Sequence, residues 1–180
     1  MRVVVVYESM FGSTREVAEA IAEGLGPAAD ARVVGVAAAV ADASLVDDAD
    51  LVVVGGPTQA WSMSRRRTRG AARDYARQPG SALAVEPSAG SGPGVREWIA
   101  GIGLVSGRAA AFDTRLKAPA MLTGRASRAI ARALERHGLV LVAPPASFFV
   151  RSKSGLQAGE LDRARAFGAR LAALVPPAAA

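Results

Sequence analysis

Val3-Val4-Val5-Val6-Tyr7-Glu8-Ser9-Met10-Phe11-Gly12-Ser13-Thr14 opens the chain and decides how the rest is read. Four consecutive valines suit a strand buried on both faces, as in a parallel sheet. The next eight residues show no apolar period, and a helical pattern begins at Arg15. Strand, short hydroxyl-rich turn, helix places free backbone N–H groups and the positive end of a helix dipole at one spot. Such a spot takes anions, phosphate above all. Ser9, Ser13 and Thr14 add hydroxyl donors, and Gly12 lets the backbone approach a ligand. A second reading stands beside this one: Ser13 or Thr14 is simply the cap of the following helix. The dinucleotide glycine fingerprint and the lysine-containing phosphate loop of nucleotide hydrolases are both absent, which leaves a monophosphate.

The same alternation continues along the chain. Residues 15–25 carry Val17, Ala18, Ile21 and Leu25 at helical spacing, and Gly26-Pro27 ends that helix. Arg32 to Val36 reads as a second strand, and the alanine-rich 37–47 as room for a short helix. Leu51 to Val54 is a third strand, stopping at Gly55-Gly56-Pro57-Thr58. Val95 to Ile102 is a short helix, and Arg108 to Phe112 a fourth strand with Asp113-Thr114-Arg115 as its exit. Gly124 to His137 is a helix with arginines on its outer face. Leu139 to Val142 is a fifth strand, broken by Pro144-Pro145, with Phe148 to Val150 as an extension. Glu160 to Val175 is the closing helix, and 176–180 a frayed tail. Short apolar strands alternating with helices predict a three-layer α/β sandwich with a five-stranded parallel sheet and helices on both faces. The chain reads as a single domain over 1–175. It is interrupted by a long excursion at 65–94 that carries six arginines (Arg65, Arg66, Arg67, Arg69, Arg73 and Arg77), with a short helix possible at 69–78. Ligands in such sheets bind at the carboxyl ends of the strands. Three post-strand loops qualify: Ser9–Thr14, Pro57–Ser64 and Asp113–Gly124.

Composition narrows the chemistry. Cys is absent and His137 is the sole histidine, which excludes disulfides, thiolate metal sites and histidine-rich metal sites. His137 sits in a last helical turn, where a cation suits the dipole. No apolar run reaches the ~18 residues of a membrane span, and the start lacks a secretion-signal layout, so a cytoplasmic protein is expected. The net charge is +6. An arginine- and alanine-rich composition also follows from a GC-rich genome. The arginine excursion lacks the aromatic stripe or module of a nucleic-acid binder, so nucleic acid is disfavoured as a partner.

With these elements in place, the chain resembles the flavodoxin-like family. The likeness rests on Val6 to Thr14 followed by Ala18 and Ile21, on Asp50 to Thr58, and on the order of elements from about 1 to 175. More narrowly, the chain resembles flavodoxin-like proteins of high-GC bacteria. The resemblance implies noncovalent FMN and electron transfer. It implies that Ser9, Met10, Phe11, Gly12, Ser13 and Thr14 wrap the phosphate. Pro57, Thr58, Gln59, Ala60, Trp61 and Ser62 would flank the isoalloxazine ring, with Trp61 stacked on it. Asp113, Thr114 and Arg115 would approach its other side. Each of these has a plainer reading. Trp61 is then an anchor under the excursion, Asp113 a cap of a following turn, and Gln59 a solvated loop residue.

Two departures bear on function. Flavodoxins are typically acidic and this chain is basic, and residues 113–124 contain no aromatic to cover the ring's second face. An uncovered face suits a substrate such as a quinone; alternatively the arginine excursion covers it. The arginines themselves read as solvated surface, as a charge favouring reduced flavin, or as a docking face for an anionic partner. No side chain reads as a catalytic acid, base or nucleophile. The expected function is electron transfer through FMN to a redox partner protein. The rivals are an FMN-dependent oxidoreductase passing electrons to a small-molecule acceptor, and a non-redox protein that keeps the scaffold but not the flavin.

Overall fold

A computed structural model describes residues 1–42, 44–81, 83–86, 89, 92–151 and 155–175. The proposed tail at 176–180 and part of the Pro87–Gly94 stretch lie outside them. The chain runs β1 (Arg2–Tyr7), α1 (Ser13–Leu25), β2 (Asp30–Gly35), α2 (Val36–Ala41), α3 (Ser44–Asp47), β3 (Leu51–Gln59), β4 (Ser62–Met63) and α4 (Arg66–Ala76). It continues with α5 (Val95–Gly101), β5 (Gly107–Leu116), α6 (Ala120–Thr123), α7 (Ala126–Arg136), β6 (Leu139–Leu141), β7 (Ala146–Val150) and α8 (Glu160–Leu174).

The sheet order is β2-β1-β3-β5-β6, and these neighbours are all parallel. Alternation along β1 divides the core. Val4 and Val6 face α5 and α7 with Val52, Val54, Trp98, Ile99, Ile130 and Leu134. Val3 and Val5 face α1 and α8 with Val17, Ile21, Phe112, Phe148, Phe167 and Leu171. That is the three-layer sandwich expected of valine runs that are apolar on both faces.

The sheet has seven strands, not five. The two additions have local causes. β4 is a two-residue antiparallel return on the end of β3. β7 is the second half of the fifth strand. β5 advances from Ala109 to Phe112 while its partners advance from Leu141 to Ala146, so two extra residues must bulge out. Pro144-Pro145 occupies that gap, because proline has no N–H to give to the ladder. The third and fourth strands also run further than the sequence suggests. β3 continues through Gly55-Gly56 to Gln59, because Gly55 is there to make room. A Cβ on it would lie 2.0 Å from Cζ of Phe112, the residue paired with it in the register. Asp113, Thr114 and Arg115 are therefore strand residues inside β5. On the excursion, a helix starts at Arg66, three residues before the expected one.

Candidate functional site

Gly12 has φ +94°, a value that favours glycine, and its N–H donates to Ser9 Oγ (3.0 Å). α1 begins at Ser13 with no side-chain cap. Neither Ser13 nor Thr14 plays the capping role, so the first-turn donors of a 13-residue helix stand open at this end of the sheet. Thr14 Oγ1 pairs instead with Thr114 Oγ1 of β5 (2.8 Å). Arg15 donates to Glu86 (2.8 Å) and Glu19 (3.1 Å), bonds that raise its pKa and staple the 83–86 segment beside the turn. Glu86 N also bonds Met10 O (3.0 Å).

The ends of β3 and β5 are tied to α7. Thr58 Oγ1 accepts from Ala126 N (2.9 Å), and Asp113 Oδ2 accepts from Ser127 N (2.7 Å). Two orphan donors at the start of α7 are thus satisfied by side chains from neighbouring strands. Asp113 is fully buried; its Oδ2 serves this helix, and its Oδ1 has no hydrogen-bond partner among the described residues. Asp113→Ala should therefore cost about 2 kcal/mol of stability, combining a lost cap with a buried donor left unpaired. Urea denaturation measures it, and Asp113→Asn, which keeps an acceptor, should lose less.

Between the first turn, β3 and β5 lies a cavity of about 490 Å³, within the usual range for small-molecule sites. Ser9, Met10, Phe11, Ser13, Thr14, Pro57, Thr58, Gln59, Ala60, Thr114 and Arg115 line it, so one space gathers eleven of the fifteen residues singled out in the sequence. Gly12, Trp61, Ser62 and Asp113 are outside the lining. Trp61 is 65% exposed and lines, with Ser62, a separate depression beside Arg125, Arg128 and Arg132. Gly124 causes this: Trp61 bridges to it, and its φ of +74° and lack of Cβ admit Trp61 O, which would lie 2.1 Å from a Cβ. Ala60 and Trp61 both take positive φ, +45° and +67°, and carry the indole away from the cavity. Gln59 Oε1 is buried with no hydrogen-bond partner among the described residues.

The sequence reading allowed the arginine excursion to cover the site but named none of the residues of the wall that α4 supplies. Thr68, Ala71, Ala72 and Tyr75 recur at i, i+3, i+4 and i+7 and line the cavity together. The spacing was visible, but five arginines in and around it (Arg65, Arg66, Arg67, Arg69 and Arg73) masked a face whose own residues are small or polar. Leu116 and Val150, at the ends of β5 and β7, complete the lining.

Arg69 anchors α4. It is buried, and it donates to Ser64 Oγ (3.1 Å), Glu97 Oε2 (3.2 Å) and Gly92 O (3.2 Å). Ser64 in turn donates to Glu8, whose other oxygen accepts from Val95 N (2.9 Å). Burial favours the neutral form of Glu97, but hydrogen bonds from Gly94 N and Arg69 outweigh it and hold its pKa below the ordinary value. One of the six excursion arginines is thus a buried anchor and not part of a solvated run.

Arg115 is also buried. It donates to Ala118 O and Thr123 Oγ1 (both 2.8 Å) and lies 4.9 Å over the Phe149 ring. Desolvation lowers its pKa against the pull of Asp113, and Arg125 adds repulsion. An arginine stays charged under such shifts, so the cavity carries a fixed positive charge.

The flavodoxin family model matches residues 5–62. This is the segment that supplies the first turn and β3. The fold is flavodoxin-like. It matches a flavodoxin from the domain Archaea at 19% identity and TM-score 0.64, covering 97% of this chain and 99% of that one. A flavodoxin, WrbA-like protein from Agrobacterium tumefaciens matches at 23% identity and TM-score 0.60, covering 97% and 96%. Two-electron reduced flavodoxin of Megasphaera elsdenii matches at 16% and 0.55, covering 93% and 98%. No curated protein sequence matches. The flavodoxin-like strand order 2-1-3-4-5 is the order found here once β4 is set aside and β6 and β7 count as one strand. Among the described residues no helix is long and apolar enough to cross a membrane.

Proposed function

We propose that the protein binds FMN noncovalently in this cavity and transfers electrons. The observation that carries this reading is the uncapped start of α1, with Ser9, Ser13 and Thr14 around it, opening into a cavity at the β1/β3 switch point. Flavodoxins place FMN at that point. The donor set fits the group. Backbone N–H groups and hydroxyls suit a phosphate. The unpartnered Gln59 Oε1 suits a ring N–H donor, and Tyr75 supplies an aromatic face. When bound, the flavin supplies the redox chemistry. Ser13, Thr14 and the first turn of α1 hold the phosphate end. Gln59 and the end of β3 orient the ring, and α4 closes over it and excludes water. Arg115 holds a fixed positive charge beside it, which stabilises added negative charge and raises the potential.

The test is an FMN titration of the purified protein read by flavin fluorescence. Saturable quenching is expected, and no binding at tens of micromolar would sink the proposal. Thr14→Val should weaken FMN more than riboflavin, which lacks the phosphate. Equal losses would remove the first turn as the phosphate cradle. The partner is a redox protein. A second reading, reduction of a small acceptor such as a quinone, draws on the small residues Ala71 and Ala72 in the α4 wall. Turnover with NAD(P)H and quinones, in the absence of any partner protein, separates the two.

A further inference from the structure

We propose that the surface beside the cavity, from Trp61 across α6 to the outer face of α7, docks an acidic redox protein. This rests on the electron-carrier reading and names the chemistry of the partner. Three large apolar side chains stand exposed here: Trp61 at 65%, Leu122 at 66% and Met121 at 89%. Each alone would be unremarkable on a protein surface. Met121 and Leu122 lie three and two residues before Gly124, which bridges to Trp61, where the strained pair Ala60-Trp61 turns the indole outward.

Cations ring this apolar centre. From Thr114 to Leu134 the sequence has no acid and five cations, Arg115, Lys117, Arg125, Arg128 and Arg132. Arg115 is consumed internally. Lys117, Arg128 and Arg132 are exposed, and neither they nor Arg125 forms an ion pair among the described residues. Arg125, Arg128 and Arg132 line one depression of about 290 Å³ with Trp61. Arg15, Arg163 and Arg165 pair with carboxylates, whereas Arg66, Arg67, Arg77, Arg108 and Arg136 form no ion pair among the described residues; what sets the patch apart is the exposed Trp61 among its arginines.

An exposed tryptophan and methionine inside an arginine rim is the composition of a protein interface centre, not of an ordinary solvated face. Unneutralised positive charge steers and selects an acidic partner. The location fits as well. Gln59-Ala60 of the cavity wall runs directly into Trp61-Ser62, and Leu116 of the same wall runs into Lys117. A partner seated on the patch is therefore brought to the rim of the cavity.

The experiment titrates the ¹⁵N-labelled full chain, with and without FMN, with an acidic plant-type [2Fe–2S] ferredoxin at low salt. Saturable shifts centred on the Trp61 indole and residues 116–132 are expected. R128E/R132E should weaken binding at least about tenfold and Trp61→Ala about fivefold. Both arginines are exposed, so the double variant keeps its fold, as circular dichroism would verify. Shifts centred on Arg65–Arg77, shifts scattered over the surface, or no saturable binding would overturn the proposal. FMN titration of the same samples tests the carrier reading separately. FMN binding without ferredoxin binding removes the patch alone. Ferredoxin binding on the patch without FMN binding removes the carrier reading and keeps the patch.

Discussion

Tyr75→Ala is expected to weaken FMN binding by about 1–3 kcal/mol, roughly 5- to 150-fold, by analogy with stacking of bases on aromatic side chains. Trp61→Ala is expected to leave the dissociation constant within about twofold, since no ring contact is lost. The family resemblance implies a stacking role for Trp61, three residues after Pro57-Thr58. On the proposed FMN reading Tyr75 takes it instead. Trp61 lies outside the cavity lining and faces the arginines of α7, whereas Tyr75 lines the cavity at the last turn of α4. Phe11 is the only other aromatic in the lining, and it belongs to the turn expected to hold the phosphate. Residues 113–124 have no aromatic, so a cover for the second ring face must come from another element. On the same FMN reading α4 is that element, and Arg69 ties it to Ser64, Glu97 and Gly92. Tyr75→Phe keeps the ring and should bind FMN nearly as the parent does. The measurement is flavin fluorescence titration of the three variants. A large loss in Trp61→Ala with none in Tyr75→Ala would return the stacking role to Trp61.

What the sequence discloses and what it conceals divide along physical lines. The valine runs of β1 and β3 announce themselves because burial on both faces removes every polar residue from them. The first turn is legible because a hydroxyl-rich strand-to-helix turn has few other uses. Strand ends are not legible. Gly55 looks like a stop and is in fact space for Phe112, its partner in the register. Asp113 looks like an exit residue and is a cap for α7, because its partner, Ser127 N, is set by tertiary packing. The wall formed by α4 is hidden for another reason. Its helix is held by a buried arginine in place of an apolar stripe, so its spacing shows a helix but not which face meets the cavity. The same blindness applies to the Trp61 patch, whose parts come from the turn after β3, from α6 and from α7.

Phe112→Ala is expected to cost about 3–5 kcal/mol, the usual loss when a buried phenylalanine becomes a cavity. Against a total of about 5–15 kcal/mol for a domain, that is enough to bring unfolding near working temperatures. Phe112 is fully buried and meets Phe148 edge-on at 6.2 Å, which meets Phe167 at 6.3 Å. The three rings join β5, β7 and α8, so the ring at 112 is a hub between the sheet and the helix layer. Its loss should also loosen Asp113 to Arg115, the next residues of β5, and with them one wall of the cavity. Gly55 supplies an internal check. Gly55→Ala alone should be destabilising, because the new Cβ would overlap the Phe112 ring. In the Phe112→Ala background the same Cβ enters the void, so its cost should shrink or reverse. Urea unfolding of the four proteins, with slopes compared to exclude a change in the denatured state, measures that coupling. Additive losses, or a cost below about 1 kcal/mol for Phe112→Ala, would mean the sheet relaxes around the missing ring. Gly55 would then owe its presence to the cavity end of β3 and not to the core.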